Sequence, residues 1–105
     1  MATKVNWGGY EFTVYSPSTS WNEIGGIYIF AGKNSEGNWV AKYIGKAQSF
    51  ADRLPGHERW DEAVKLGATH IHARAVSTEA DRDKIEGELI RNYQPPLNVQ
   101  KKSKT

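Results

Sequence analysis

Hydrophobic and polar positions alternate in some stretches of the chain and follow a helical period in others. Tyr10-Glu11-Phe12-Thr13-Val14-Tyr15 alternates and ends at Ser16-Pro17, the pattern of a strand. Gly26-Ile27-Tyr28-Ile29-Phe30-Ala31 and Trp39-Val40-Ala41-Lys42-Tyr43-Ile44 flank a polar run containing Gly37, which predicts a hairpin. Past Gly45 the spacing predicts a short helix over 47–54, broken at Pro55-Gly56, and a second over 57–66, closed by Gly67. Residues 69–76 alternate again. Ser77 or Thr78 then caps a long helix that runs to Tyr93 and stops at Pro95-Pro96. The order strand, strand, helix, helix, strand, helix predicts an α+β fold. Its core is a small, mainly antiparallel three-stranded sheet flanked by helices, with an extra N-terminal strand.

The long helix carries one anomaly. With Ile85 at zero and ~100° per residue, Leu89, Tyr93 and Ile90 define an apolar arc, and Glu86 falls inside it. Glu88, Lys84 and Arg91 lie on the opposite, solvated side. A buried carboxylate is costly unless a cation or a metal compensates it. Arg82, one turn earlier on the same arc, offers an ion pair; a metal ion is the other solution.

A hairpin symmetric about the Ser35–Glu36 bond would set Tyr28 directly across from Tyr43. Packing alone accounts for such a pair. Lys46, Arg53 and His57 follow closely in sequence, and with two tyrosines and an inward carboxylate they form the inventory of a phosphate site, in which arginine supplies the fork. His70 and His72 share one strand face at a spacing that suits zinc, but Arg74 on that face opposes a cation, so solvent-facing or backbone-bonded histidines are expected.

Composition narrows the chemistry. The chain has 105 residues, enough for one ordinary core, and four tryptophans and five tyrosines to anchor it. It has no cysteine, so a metal would take oxygen or imidazole ligands. Fourteen basic and twelve acidic residues leave a net charge of +2, which permits nucleic-acid contact without requiring it. No apolar run reaches the length of a signal or membrane segment, so the expected compartment is the cytoplasm and no membrane partner is expected.

Gly26-Ile27-Tyr28, Tyr43-Ile44-Gly45, Arg53, Glu86 and Asn98, in that order, resemble the signature of the GIY-YIG nuclease superfamily. The resemblance covers about residues 25–98, and the string from Ser49 through His57-Glu58-Arg59-Trp60 to Asn98 is similar to small standalone members. The gap between the two tyrosines is longer than in the most compact members. The resemblance implies a nuclease domain over 24–98, with 1–23 an N-terminal extension that carries a strand; the lysine-rich composition of 99–105 reads as a basic disordered tail.

It further implies a divalent-metal-dependent endonuclease acting on DNA, RNA not being excluded. One Mg2+ or Mn2+ ion would be held by Glu86. Tyr28 would be the general base or water-orienting group, its phenolate favoured by the metal or by a cation such as Lys46. Tyr43 would contact a phosphate oxygen or the attacking water, Arg53 would stabilise the phosphate, and His57 would assist proton transfer. Lys46, Arg53 and Asn98 complete the substrate-binding set, Asn98 also tying the helix end back to the site. Without a second domain, specificity would come from loops, the N-terminal extension, a protein partner or a homo-oligomer. The alternative is a non-catalytic nucleic-acid-binding module on the same fold.

Overall fold

The computed structural model describes residues 2–99. The elements are β1 (Thr3–Trp7), β2 (Tyr10–Tyr15), β3 (Gly26–Lys33), β4 (Trp39–Ala47), α1 (Phe50–Arg53), α2 (Trp60–Lys65), β5 (His70–Ala75), α3 (Glu79–Tyr93) and α4 (Pro96–Val99). The strands form one antiparallel sheet in the order β1-β2-β5-β3-β4. The fold is α+β, as the alternation predicts.

The sheet has five strands rather than three with one appended. The additional strand is β1, joined to β2 through Gly8-Gly9 with Trp7 opposite Tyr10. Both glycines have positive φ, 60° and 93°, the geometry that two-residue hairpin turns require and glycine supplies without strain. That Gly-Gly pair is the sequence signal for β1. Thr3, Lys4 and Asn6 obscure it, because an edge strand keeps only one face covered. β2 pairs with β5, so the N-terminal segment is part of the same sheet. Apart from Val99, the basic tail expected over 99–105 lies outside the described residues.

β3 lies between β5 and β4 and is buried on both faces, which is why it reads as an unbroken apolar run. Ile27, Ile29 and Ala31 pack with Ile85 and Leu89 of α3 on one face. Tyr28 and Phe30 point to the other, among Phe50, Leu54, Ala63 and Leu97. Each fully buried aliphatic side chain contributes about 1.5–3 kcal/mol relative to exposure. Thr78 caps α3, its hydroxyl accepting from the Asp81 N–H at 3.2 Å.

His72 is neither solvent-facing nor backbone-bonded. It is fully buried, its Nδ1 accepting from Trp7 Nε1–H at 2.9 Å, with the Trp39 ring nearly perpendicular to it at 4.5 Å. The β1 hairpin brings Trp7 over this face of β5, which the sequence pattern did not anticipate. Among the described residues no helix is long and apolar enough to cross a membrane.

Candidate active site

The hairpin register departs from the symmetric expectation. Tyr28 opposes Gly45, and Phe30 opposes Tyr43. Two local features cause this. The connection turns about 34–38, closed by Asn34 N–H to Asn38 O at 2.9 Å and Gly37 N–H to Asn34 O at 3.0 Å. Farther along, a bulge leaves Lys42 without a partner on β3, since Ala31 opposes Ala41 and Phe30 opposes Tyr43. An extra residue reverses the facing of everything beyond it. Ala41 and Ile44, three apart, therefore share the α3 face, and Tyr43 emerges beside Tyr28 and Phe30. The tyrosines are diagonal neighbours, with ring centroids 6.2 Å apart.

Gly45 makes room for Tyr28. A Cβ there would lie 2.4 Å from both Cζ and Oη of the phenol, which crosses the strand at this point. Tyr28 is held between Phe30 and His57 and cannot yield cheaply. Gly45→Ala is expected to destabilise the fold by about 1–3 kcal/mol, the usual cost of overpacking, and to displace the phenol. Thermal melts beside cleavage assays would check both effects.

The Tyr28 Oη lies 2.7 Å from His57 Nε2, and His57 Nδ1 accepts the backbone N–H of Arg59 at 2.9 Å. Burial, reinforced by Arg53, pushes the imidazole pKa down to about 4, so at neutral pH it is uncharged. With Nδ1 occupied as an acceptor, the ring proton is on Nε2, and His57 donates to Tyr28. The histidine has no free lone pair to receive a proton. In this tautomer it fixes the phenol oxygen and leaves the hydroxyl hydrogen aimed elsewhere.

His57 and His72 both sit at about 4 when folded, against 6.5 for an ordinary histidine. The unfolded chain therefore binds more protons, and stability falls as pH drops from about 6.5 towards 4. The full loss is on the order of 3 kcal/mol per histidine. Urea melts at pH 7 and pH 4.5 would measure it; His72→Gln should flatten the dependence.

Tyr28 does not have the environment of a ready phenolate. Burial drives its pKa far above the normal tyrosine value, with Tyr43, Glu58 and Glu86 adding to the effect and Arg53 opposing it. Lys46, the expected stabilising cation, is absent from these contributors. It stands opposite Ile27 on the α3 face of β4 and pairs with Asp83. Arg53 is the cation that acts on both phenols. Its fork is held by Glu58 through two 3.0 Å hydrogen bonds, Nη1 to Oε1 and Nη2 to Oε2, and holds that carboxyl down at about 2.

Glu86 approaches from the other face, on α3. It is partly buried, and burial raises its pKa, with Lys46 pulling down and Asp83 pushing up. The anticipated pair with Arg82 does not form. The Arg82 guanidinium is buried and donates through Nη1 to the Val76 carbonyl at 2.9 Å. Among the described residues, no hydrogen bond or ion pair reaches the Glu86 carboxylate, nor do three His, Asp or Glu side chains gather as a metal cage. A lone, partly desolvated carboxylate suits a hard cation that keeps most of its waters.

Asn98 sits on the outer edge of β4. Its Oδ1 accepts the Ile44 N–H at 2.7 Å and its Nδ2 donates to the Ile44 carbonyl at 2.9 Å. Both ends of the amide are thus engaged by the residue between Tyr43 and Gly45, each end using one of its two hydrogen-bonding positions. Tyr28, Tyr43, Arg53 and His57 come together on one side of β4; Lys46 and Glu86 stand on the other, with Glu86 acting on both phenols across the strand. Glu58 was not anticipated from the sequence, although its place five residues after Arg53 was visible.

No family model matches the chain, and no curated protein matches it. Among solved structures it is similar to the GIY-YIG N-terminal endonuclease domain of UvrC from Thermotoga maritima bound to its catalytic divalent cation, magnesium. The identity is 30% and the TM-score 0.58, over 71% of this chain and 83% of that one. Two singly substituted forms of that domain, each with the divalent cation, are similar too. An asparagine-to-alanine form has 30% identity and a TM-score of 0.58, and a tyrosine-to-phenylalanine form has 31% and 0.56. Both alignments span 71% of this chain and 82% of that one.

Proposed function

The chain belongs to the GIY-YIG endonuclease superfamily and has its nuclease fold, and from that premise we propose that it is a divalent-metal-dependent endonuclease that hydrolyses phosphodiester bonds in DNA. The observation that supports this most is the Glu86 carboxylate, without a hydrogen-bond or ion-pair partner among the described residues, acting on the same two phenols as Arg53.

Glu86 would hold the single Mg2+ or Mn2+ ion. Such an ion, when bound, neutralises charge on the reacting phosphate and acidifies a coordinated water. Tyr28 is the group that orients the attacking water. Its oxygen is fixed by His57 Nε2–H, its hydroxyl hydrogen is free, and burial keeps it protonated, so donation rather than general base action is its role in the protein by itself. His57 is a positioning residue that acts through Tyr28. Arg53 exchanges the Glu58 carboxylate for a phosphate, which presents the same two-oxygen geometry to the guanidinium. Tyr43, partly buried beside Arg53, contacts a phosphate oxygen, and Asn98 positions β4. Lys46, turned to Asp83, contributes charge near Glu86.

The test is incubation of supercoiled plasmid, single-stranded DNA and structured RNA with the protein and Mg2+, beside EDTA and Glu86→Ala controls. Cleavage of DNA that both controls abolish supports the reading. Binding that survives EDTA with no cleavage would instead support a nucleic-acid-binding module, and cleavage by Glu86→Ala would remove Glu86 as the metal ligand.

A further inference from the structure

A cavity of about 400 Å3 lies on the Tyr28 face of the sheet and shares His57 and Glu58 with the site above. Its volume is within the ~300–1,000 Å3 of small-ligand sites. Phe30, Trp60, Leu54 and Ile71 supply apolar wall, and Trp21 another aromatic one. Trp60 stands edge-on to Phe30 at 5.0 Å and is partly exposed, as is Trp21. The polar groups are Ser18, Thr19 and Asp61. Flat aromatic surfaces beside scattered hydrogen-bonding groups match the faces and heteroatom edge of a nucleobase.

The position is what selects this occupant over another apolar ligand. Phe30 is the cross-strand partner of Tyr43, and the His57 ring lies 5.0 Å from Phe30 and 5.4 Å from each tyrosine. Glu58, which lines the cavity, also grips Arg53, so a strand whose phosphate took Arg53 would bring a neighbouring base to this side of the sheet. The geometry points to a pocket for one unstacked nucleobase of the substrate strand, next to the phosphate that is cut. This rests on the nuclease reading.

The segment 17–19 with Trp21, which precedes the stretch that carries the GIY-YIG resemblance, forms one side of this cavity. Paired bases stay stacked and must be extruded at a cost, which is least for an unpaired base. DNA with a bulge, flap or single-stranded end is therefore the favoured class.

The experiment uses three duplexes, with Mg2+: one fully paired, one with a single unpaired adenine scanned across the nucleotides near the cut, and one with an abasic nucleotide in its place. The adenine duplex should be cleaved with a kcat/KM at least ~tenfold above the abasic one, the scale of stacking on an aromatic platform. Ser18→Trp, an exposed position at the rim, should fill the cavity and erase that ratio while leaving cleavage of the paired duplex unchanged. Equal rates on the adenine and abasic duplexes, or a ratio that survives Ser18→Trp, would overturn the pocket. Should no duplex be cut, the nuclease reading fails separately. The pocket is then read in EDTA from an unpaired 2-aminopurine: quenching by the wild type that Ser18→Trp abolishes supports it, and equal signals overturn it. A melting curve for Ser18→Trp confirms its fold.

Discussion

Replacing Glu86 with glutamine is expected to cut metal-dependent cleavage by roughly a thousandfold, the factor given by ~4 kcal/mol of lost electrostatic stabilisation at about 1.4 kcal/mol per tenfold. Stability should move the other way. Burial already raises the Glu86 pKa, and no hydrogen bond or ion pair among the described residues compensates the charge, so an uncharged isostere removes a desolvation cost. The melting temperature of Glu86→Gln should equal or exceed that of the wild type without metal. Added Mg2+ should raise the wild-type value by mass action and leave the variant unchanged. A variant that melted lower and still responded to Mg2+ would mean that Glu86 has a structural role and that the ion sits elsewhere.

Tyr28→Phe should lower kcat about 100- to 1,000-fold, the range for loss of one positioned group in a hydrolytic site, with DNA binding nearly unchanged. The substitution keeps the ring that packs between Phe30 and His57 and removes only the oxygen. It also leaves His57 Nε2–H without its partner, so a stability loss of about 1–3 kcal/mol should accompany it. His57→Gln separates the two effects. A glutamine amide can donate to the phenol as the imidazole does, and should preserve a substantial part of the activity, whereas His57→Leu should not. Rates measured on saturating DNA, with affinity measured separately in EDTA, would show whether the loss falls in kcat alone. An equal loss of affinity would make Tyr28 a binding group.

Much of this was legible in the sequence where a local pattern had one physical solution. The β3 run, the Thr78 cap and the inward place of Glu86 each follow from periodicity or from side-chain chemistry. The facing of Tyr28 and Tyr43 was not. It depends on one unpaired residue, Lys42, and a bulge has no compositional mark. Arg82 looked like the natural partner for Glu86 because helical spacing allows it, but its guanidinium finds the Val76 carbonyl first, a contact to backbone that side-chain pairing does not reveal. The direction of the Tyr28–His57 bond was equally hidden. It is decided by the Arg59 N–H, through the local turn that follows His57.

The amide of Asn98 has a consequence that reaches past this single molecule. β4 is the last strand of the sheet, and at Ile44 its outward N–H and C=O would be open to another chain. Asn98 meets both, standing where one residue of a sixth strand would stand. The short α4 thus guards the sheet against self-recruitment at the point where the nuclease tyrosines meet the edge. A protein shortened before Asn98 would expose a sticky margin as well as a loosened site, and its fate in a concentrated solution would be assembly into larger particles as much as loss of cutting.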